Sequence, residues 1–128
     1  MILHAGDVGG CAVLTQLSTI APVHAVYGNT DAPGEPGLVA ERGFRLEGVT
    51  IHVSHGHELG RPTVERLLAR YDADVIVYDH THRPLVERSG PRLVVNPGAA
   101  GPRRFDLKPS VARLTLAAGR ADVHLIWL

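Results

Sequence analysis

Apolar and polar positions along this chain follow a helical period and a strand period in alternation, then settle into strands alone. Met1 to Ala5 is a short apolar run stopped by Gly6-Asp7. Cys11 to Thr19 places Val13, Leu14 and Leu17 on one side of a helix. Pro22 to Tyr27 predicts a strand ending at Gly28-Asn29, and residues 30–37, with two Pro and two Gly, predict a loop. Phe44 to Glu47 and Val49 to Ser54 predict strands about a turn at Gly48. In the second, Val49, Ile51 and Val53 alternate with Thr50, His52 and Ser54, the pattern of a half-buried strand. Arg61 to Tyr71 predicts a helix with Pro62 in its first turn and Val64, Leu67, Leu68 and Tyr71 on one face. Val75 to Tyr78 is a continuous apolar run, as in a strand buried on both faces.

Beyond it the helical period disappears. Leu85 to Arg88 and Arg92 to Val95 flank Ser89-Gly90-Pro91, and Val111 to Ala117 and Ala121 to Trp127 flank Ala118-Gly119-Arg120. Both pairs predict hairpins, with residues 96–104 as a loop between them and Val123, Leu125 and Trp127 on a shared face. Strand–helix alternation followed by strands predicts an α/β fold, two stacked sheets with helices outside, in one domain over residues 1–128.

Composition narrows the function classes. Thirteen basic residues balance thirteen acidic ones, so charge points to neither a nucleic acid nor a membrane as partner. No stretch approaches the ~20 apolar residues of a membrane span. Met1 leads straight into Ile2-Leu3 without the basic region of a signal peptide. With Cys11 as the single cysteine, the expectation is a cytoplasmic, reduced protein in which Cys11 is a buried core thiol.

The candidate chemistry sits at the ends of the apolar runs. Asp7, Asn29, His55, His80 and His82 each follow one. Carboxylate, amide oxygen and imidazole together suit a transition metal such as Mn, Fe, Zn or Ni. Each has a plainer reading. Asp7 also fits a turn or helix cap, and Asn29-Thr30-Asp31 also fits an ordinary turn. His4, His24, His52 and His124 read as core or surface histidines. His57 fits either a supporting position beside the site or solvent. His80 and His82 are the strongest local signal. On a regular strand two residues apart point to opposite faces, whereas a bent loop turns both toward one centre or toward two adjacent ions. A closed structural zinc site is usually rich in Cys, which this chain is not.

The segments "LHAGDV", "VYGNTD", "VSHGHELG", "DHTHRP" and "VNPGA" occur in an order that resembles the calcineurin-like metallophosphoesterases, most closely their small prokaryotic phosphodiesterase subgroup. The resemblance runs from about residue 2 to residue 105. It implies an αββα sandwich and a hydrolase, with phosphodiesterase the expected activity, acting on a small phosphate ester through metal-activated water. It implies that Asp7 bridges two ions, that Asn29, His55 and His80 bind the second ion and that His82 binds the first. It gives Asp31 an orienting role, and suggests His57 and Arg83, and more weakly Arg103, as groups near the substrate. Manganese is the first expectation for the metal.

Three departures from the family pattern matter. The family opens on a strand carrying D-x-H, and no Asp-x-His precedes Asp7 here; Asp122-Val123-His124 lies in a late hairpin strand. The expectation is therefore an N-terminally truncated form that holds one ion rather than two, with impaired activity. A catalytically weak or inactive scaffold for protein interaction is the alternative. Strand edges and apolar surface would then be exposed around Met1 to Ala5 and Val75 to Tyr78, to be covered in a homo-oligomer or closed over in a compact monomer. Asp79 stands where the family usually has Gly, and Thr30 where many members carry a proton-donating His.

Overall fold

The computed structural model describes residues 1–32, 34–101 and 107–128. β1 (Ile2–His4), β2 (Val23–Val26) and β3 (Leu38–Val39) form a parallel sheet in the order β1-β2-β3, with helix α1 (Cys11–Ser18) connecting the first two. β4 (Glu41–Leu46), β5 (Val49–Ser54), β6 (Val75–Val77), β7 (Leu85–Ser89) and β8 (Arg92–Asn96) make the larger sheet, in the order β4-β5-β6-β8-β7. Its centre, β5-β6-β8, is parallel, and β4 and β7 are antiparallel edges. Helix α2 (Val64–Arg70) links β5 to β6, and β9 (Ser110–Ala117) and β10 (Arg120–Trp127) form an antiparallel hairpin.

Strand periodicity sorts side chains of the larger sheet into two cores. Val49, Ile51, Val53, Val75, Val77, Leu93 and Val95 face one way, against Ala5 and Val26 of the smaller sheet and Ala121, Leu114 and Leu116 of the hairpin. Ile76 and Val94 face the other way, against Leu67 and Tyr71 of α2. Each fully buried Val, Leu or Ile contributes about 1.5–3 kcal/mol relative to exposure. The layers run α2, larger sheet, smaller sheet with hairpin, and α1 along β2, as the αββα expectation requires.

Four expectations need correction. Val75 to Tyr78 is not an exposed edge: β6 lies between β5 and β8, and all four residues are buried. β1 does occupy an edge of its sheet. Cys11 is exposed rather than buried, because α1 packs loosely and buries none of its residues; Val13 on its apolar stripe is 37% exposed. Helix α2 begins after Thr63, whose side chain accepts a hydrogen bond from Arg66 N at 3.2 Å, so Pro62 precedes the cap instead of lying in the first turn. β3 lies just beyond the expected loop, a strand too short for any periodicity to show.

Candidate metal centre

The site forms where chain leaves the carboxyl ends of parallel strands in two facing sheets. Asp7 follows β1, Asn29 follows β2, His55 follows β5, and His80 and His82 follow β6. Such crevices are the usual ligand position in open α/β sheets. Among the described residues, five non-glycines have positive φ, and three are expected ligands: Asp7 (54°), His80 (59°) and His82 (60°). Left-handed backbone costs a non-glycine about 1–2 kcal/mol. Strain of this kind collects at functional sites, where the surrounding structure holds it in place.

Two glycines let the loops close on one another. A Cβ on Gly6, at φ 102°, would lie 2.6 Å from His55 Nδ1 and 2.9 Å from Gly28 N. A Cβ on Gly28 would collide with the Asp7 carboxylate and amide. Asp31 fastens the same loops, since its carboxylate accepts from Val8 N (3.0 Å), Gly9 N (3.3 Å) and Gly28 N (2.8 Å). That is the orienting role the resemblance implied for it.

Three expected ligands converge on the Nε2 of a fourth, His55. Asn29 Oδ1 lies 3.0 Å away, His80 Nδ1 3.3 Å and Asp7 Oδ2 3.4 Å, and Asn29 Oδ1 is also 3.2 Å from His80 Nδ1. The opposite nitrogen of His55 lies 2.7 Å from Ala5 O. A carbonyl only accepts, so His55 Nδ1 carries the proton and the neutral ring presents a lone pair at Nε2. That lone pair faces an amide oxygen and a carboxylate oxygen, an arrangement that calls for a cation between them. The spacings fit one: ligands about 2.1 Å from an ion stand about 3.0 Å apart at octahedral angles and about 3.4 Å at tetrahedral angles. Among the described residues, His, Cys, Asp and Glu side chains do not by themselves make a three-membered cage; Asn29 Oδ1 is the additional donor atom that touches both His55 and His80.

Electrostatics keep the donors in ligand form. Burial pushes the His55 imidazolium down, outweighing the Ala5 carbonyl and Asp7, and so favours the neutral ring. Partial burial pushes the Asp7 carboxyl up, but hydrogen bonds from Thr30 and the nearby His55 and His82 outweigh it and hold the group below the usual carboxylate value. Asn29 is exposed, His80 half-buried and His55 fully buried, so the cluster is open to solvent from one side.

The remaining candidates lie around this cluster. His82 Nδ1 lies 3.8 Å from Asp79 Oδ1, and its charge acts on Asp7. Asp79 is buried, with its carboxylate next to His82. The half-buried ring of His57 stands 5.2 Å from that of His55 and 6.3 Å from that of His80. Arg83 is exposed, its N–H donating to Thr81 Oγ1 at 3.3 Å. Arg103 lies outside the described residues.

Several supporting residues escaped the sequence reading. Thr30 donates to Asp7 Oδ1 from both N (3.0 Å) and Oγ1 (2.8 Å). Glu58 accepts from Gly56 N (2.9 Å) and from the Tyr71 hydroxyl (2.6 Å), tying the His55–His57 turn to the end of α2. Burial raises the Glu58 carboxyl, yet Tyr71 and Ser54 bring it below its ordinary value; burial and Glu58 push Tyr71 up to about 12. Asn96 is fully buried under the His80–His82 loop. The "VNPGA" segment drew attention to its neighbourhood, but nothing in the local pattern identified its partners.

Loops from two facing sheets that deliver a carboxylate, an amide oxygen and imidazoles to one point define the layout of a metallohydrolase. The chain belongs to the calcineurin-like phosphoesterase superfamily, whose domain model matches residues 1–119. A protein of Methanothermobacter thermautotrophicus described as a "probable metallophosphoesterase" is 34% identical over 98% of this chain and 74% of its own length. The phosphodiesterase YfcE of Escherichia coli is 34% identical over 68% of this chain, which spans 50% of that enzyme. The fold is also that of Vps29 from Entamoeba histolytica, solved in complex with Zn2+, with a TM-score of 0.80 and 23% identity over 98% of this chain and 80% of Vps29. Among the described residues no helix is long and apolar enough to cross a membrane.

Proposed function

We propose that the chain is a metal-dependent phosphodiesterase that hydrolyses a small phosphate ester. The observation that carries this reading is the convergence of Asn29 Oδ1, His80 Nδ1 and Asp7 Oδ2 within 3.4 Å of the His55 Nε2 lone pair. Asp7, Asn29, His55 and His80 would hold the ion, with manganese the first choice and iron, zinc or nickel also suited to the donors. A bound ion supplies an acidified water and polarises a phosphoryl oxygen. The chain's own residues supply the rest. Ala5 fixes the His55 tautomer, Thr30 steadies the Asp7 carboxylate, and the open side at Asn29 and His80 admits the substrate. His57 lines that approach. Thr30 donates to Asp7 and offers no imidazole to a leaving group, so esters with acidic leaving groups are the better substrates.

A second reading, a weakly active or inactive scaffold for protein interaction, has one observation in its favour. Among the described residues, His82 and Asp7 are the only ligands that the family pattern provides for the first ion. Hydrolysis of an activated aryl phosphodiester, measured with Mn2+ and again with excess chelator, separates the two. Turnover that requires the ion and disappears in His55→Ala supports the enzyme. Absent turnover at saturating metal favours the scaffold, and chelator-insensitive turnover contradicts the metal dependence. The assembly state, monomer or homo-oligomer through the β1 edge, is read by light scattering over a concentration series.

A further inference from the structure

We propose that Asn96 is a positioning residue, which clamps the loop carrying His80 and His82 in the backbone conformation that presents their rings. The inference rests on the metal-centre reading above and adds a residue to it. Asn96 ends β8 and is 0% exposed. Its side-chain orientation is fixed by its neighbours. Gly98 N, which can only donate, lies 2.9 Å from Asn96 Oδ1, so Nδ2 must be the atom that faces the loop. From there Nδ2 donates to Asp79 O at 3.0 Å and to Thr81 Oγ1 at 3.1 Å.

These two acceptors flank His80. Asp79 O also receives Thr81 N at 2.6 Å, and Asp79 N donates to His55 O at 3.0 Å. The backbone on both sides of a left-handed His80 is thus gripped from one buried amide, and Thr81 Oγ1 extends the grip to Arg83 N at 3.3 Å, beyond the left-handed His82. The clamp is itself anchored. Ser110 of β9 donates from Oγ to Pro97 O at 2.8 Å and from N to Ala99 O at 3.0 Å. A Cβ on Gly98, at φ 79°, would collide with Ser110 Oγ, so the turn after Asn96 closes tightly on the hairpin. Hydrogen bonds and the short backbone turn after Asn96 therefore link β9 to Asp79 and Thr81, the residues on either side of His80.

Two variants and two measurements test the clamp. Asn96→Ala removes its centre. Thr81→Val removes one acceptor at a half-buried position, and Thr81→Ser restores the hydroxyl. Amide hydrogen exchange on metal-free protein reads the clamp directly. The Asp79 and Thr81 amides are expected to exchange about tenfold faster or more in Asn96→Ala and Thr81→Val, with Ile76 and Val94 of the core unchanged. In chelator competition, Mn2+ affinity should fall about 10–100-fold in Asn96→Ala and about tenfold in Thr81→Val, with Thr81→Ser close to the parent, as is usual when support behind a ligand is lost. A purely structural role would lower the melting temperature of Thr81→Val without this selective pattern. Unaltered exchange at Asp79 and Thr81 in folded Thr81→Val overturns the proposal, as does unchanged metal affinity there. If the parent chain binds no divalent ion, the functional reading fails, and exchange alone decides whether Asn96 clamps the loop.

Discussion

The two ends of the stacked sheets handle left-handed backbone differently. At the end away from the site, Glu47 (φ 50°) and Ala118 (φ 49°) each precede a glycine in a two-residue hairpin turn, and the two turns meet where Gly119 N donates to Glu47 O at 2.8 Å. Positive φ at both central residues is what such turns require, because it matches the twist of the strands. The side chains of Glu47 and Ala118 are incidental. At the site end, Asp7, His80 and His82 adopt the same region with the side chains proposed here as ligands. There the conformation is kept despite the side chain, and it is held by Gly6, Gly28, Asp31 and Asn96. Shared strain thus has two origins, turn geometry at one end and ligand placement at the other.

That contrast is most sharply broken at His80. His80→Gly removes the left-handed penalty and the donor together. Metal affinity is expected to fall more than about a hundredfold, beyond the 10–100-fold typical of lost ligand support, while thermal stability of the metal-free protein holds or rises slightly. Chelator competition and calorimetry measure the two quantities. A melting temperature that drops along with affinity would mean that His80 supports the fold as well as the ion. The next largest effect belongs to Gly28→Ala. Its Cβ has no room beside Asp7, so a destabilisation of about 1–3 kcal/mol by denaturant unfolding is expected, together with weakened metal binding.

Much of this contrast was legible in the chain before any coordinates. The continuous run Val75–Val77 announced a strand covered on both faces, and β6 is one. The order of Asp7, Asn29, His55 and His80 after apolar runs located the cluster, since parallel strands bring their carboxyl ends to one side. What was not legible depends on contacts between distant segments. Periodicity gave α1 an apolar stripe but not a partner to cover it, so Cys11 and Val13 are exposed. Asn96 is silent in sequence because its partners, Asp79 and Thr81, lie on a different strand's loop. The left-handed histidines also run against local propensity, as ligand positions often do.

Acid and base test the fastening between the site loop and α2. Glu58 has a depressed folded value, so its contribution is present above the ordinary carboxylate range and is lost as pH falls through that folded value. Tyr71 is raised from 10.0 to about 12, so the unfolded chain sheds this proton first and stability declines as pH climbs from 10.0 to about 12. Urea unfolding across pH should show both losses. Tyr71→Phe should reduce the alkaline one, leaving the part that comes from Tyr78, which burial also raises, and an unchanged alkaline limb would show that Tyr71 does not contribute. The smallest effects belong to the hairpin end. Glu47→Gly and Ala118→Gly should each change stability by about 1 kcal/mol or less, relief of strain being offset by a more flexible unfolded chain, with metal affinity untouched. A loss of affinity in either would mean that the two ends are coupled.

The central claim is that Asp7, Asn29, His55 and His80 form one metal-binding set. Its most direct test is elemental analysis of the purified chain after equilibration with Mn2+ and gel filtration, beside His80→Ala and Asn29→Ala. The account predicts one tightly held ion per chain, lost in both variants, with affinity declining in acid as His55, whose imidazolium burial holds below its ordinary value, takes up a proton. Two tightly held ions, or full retention of one ion after His80→Ala, would contradict it.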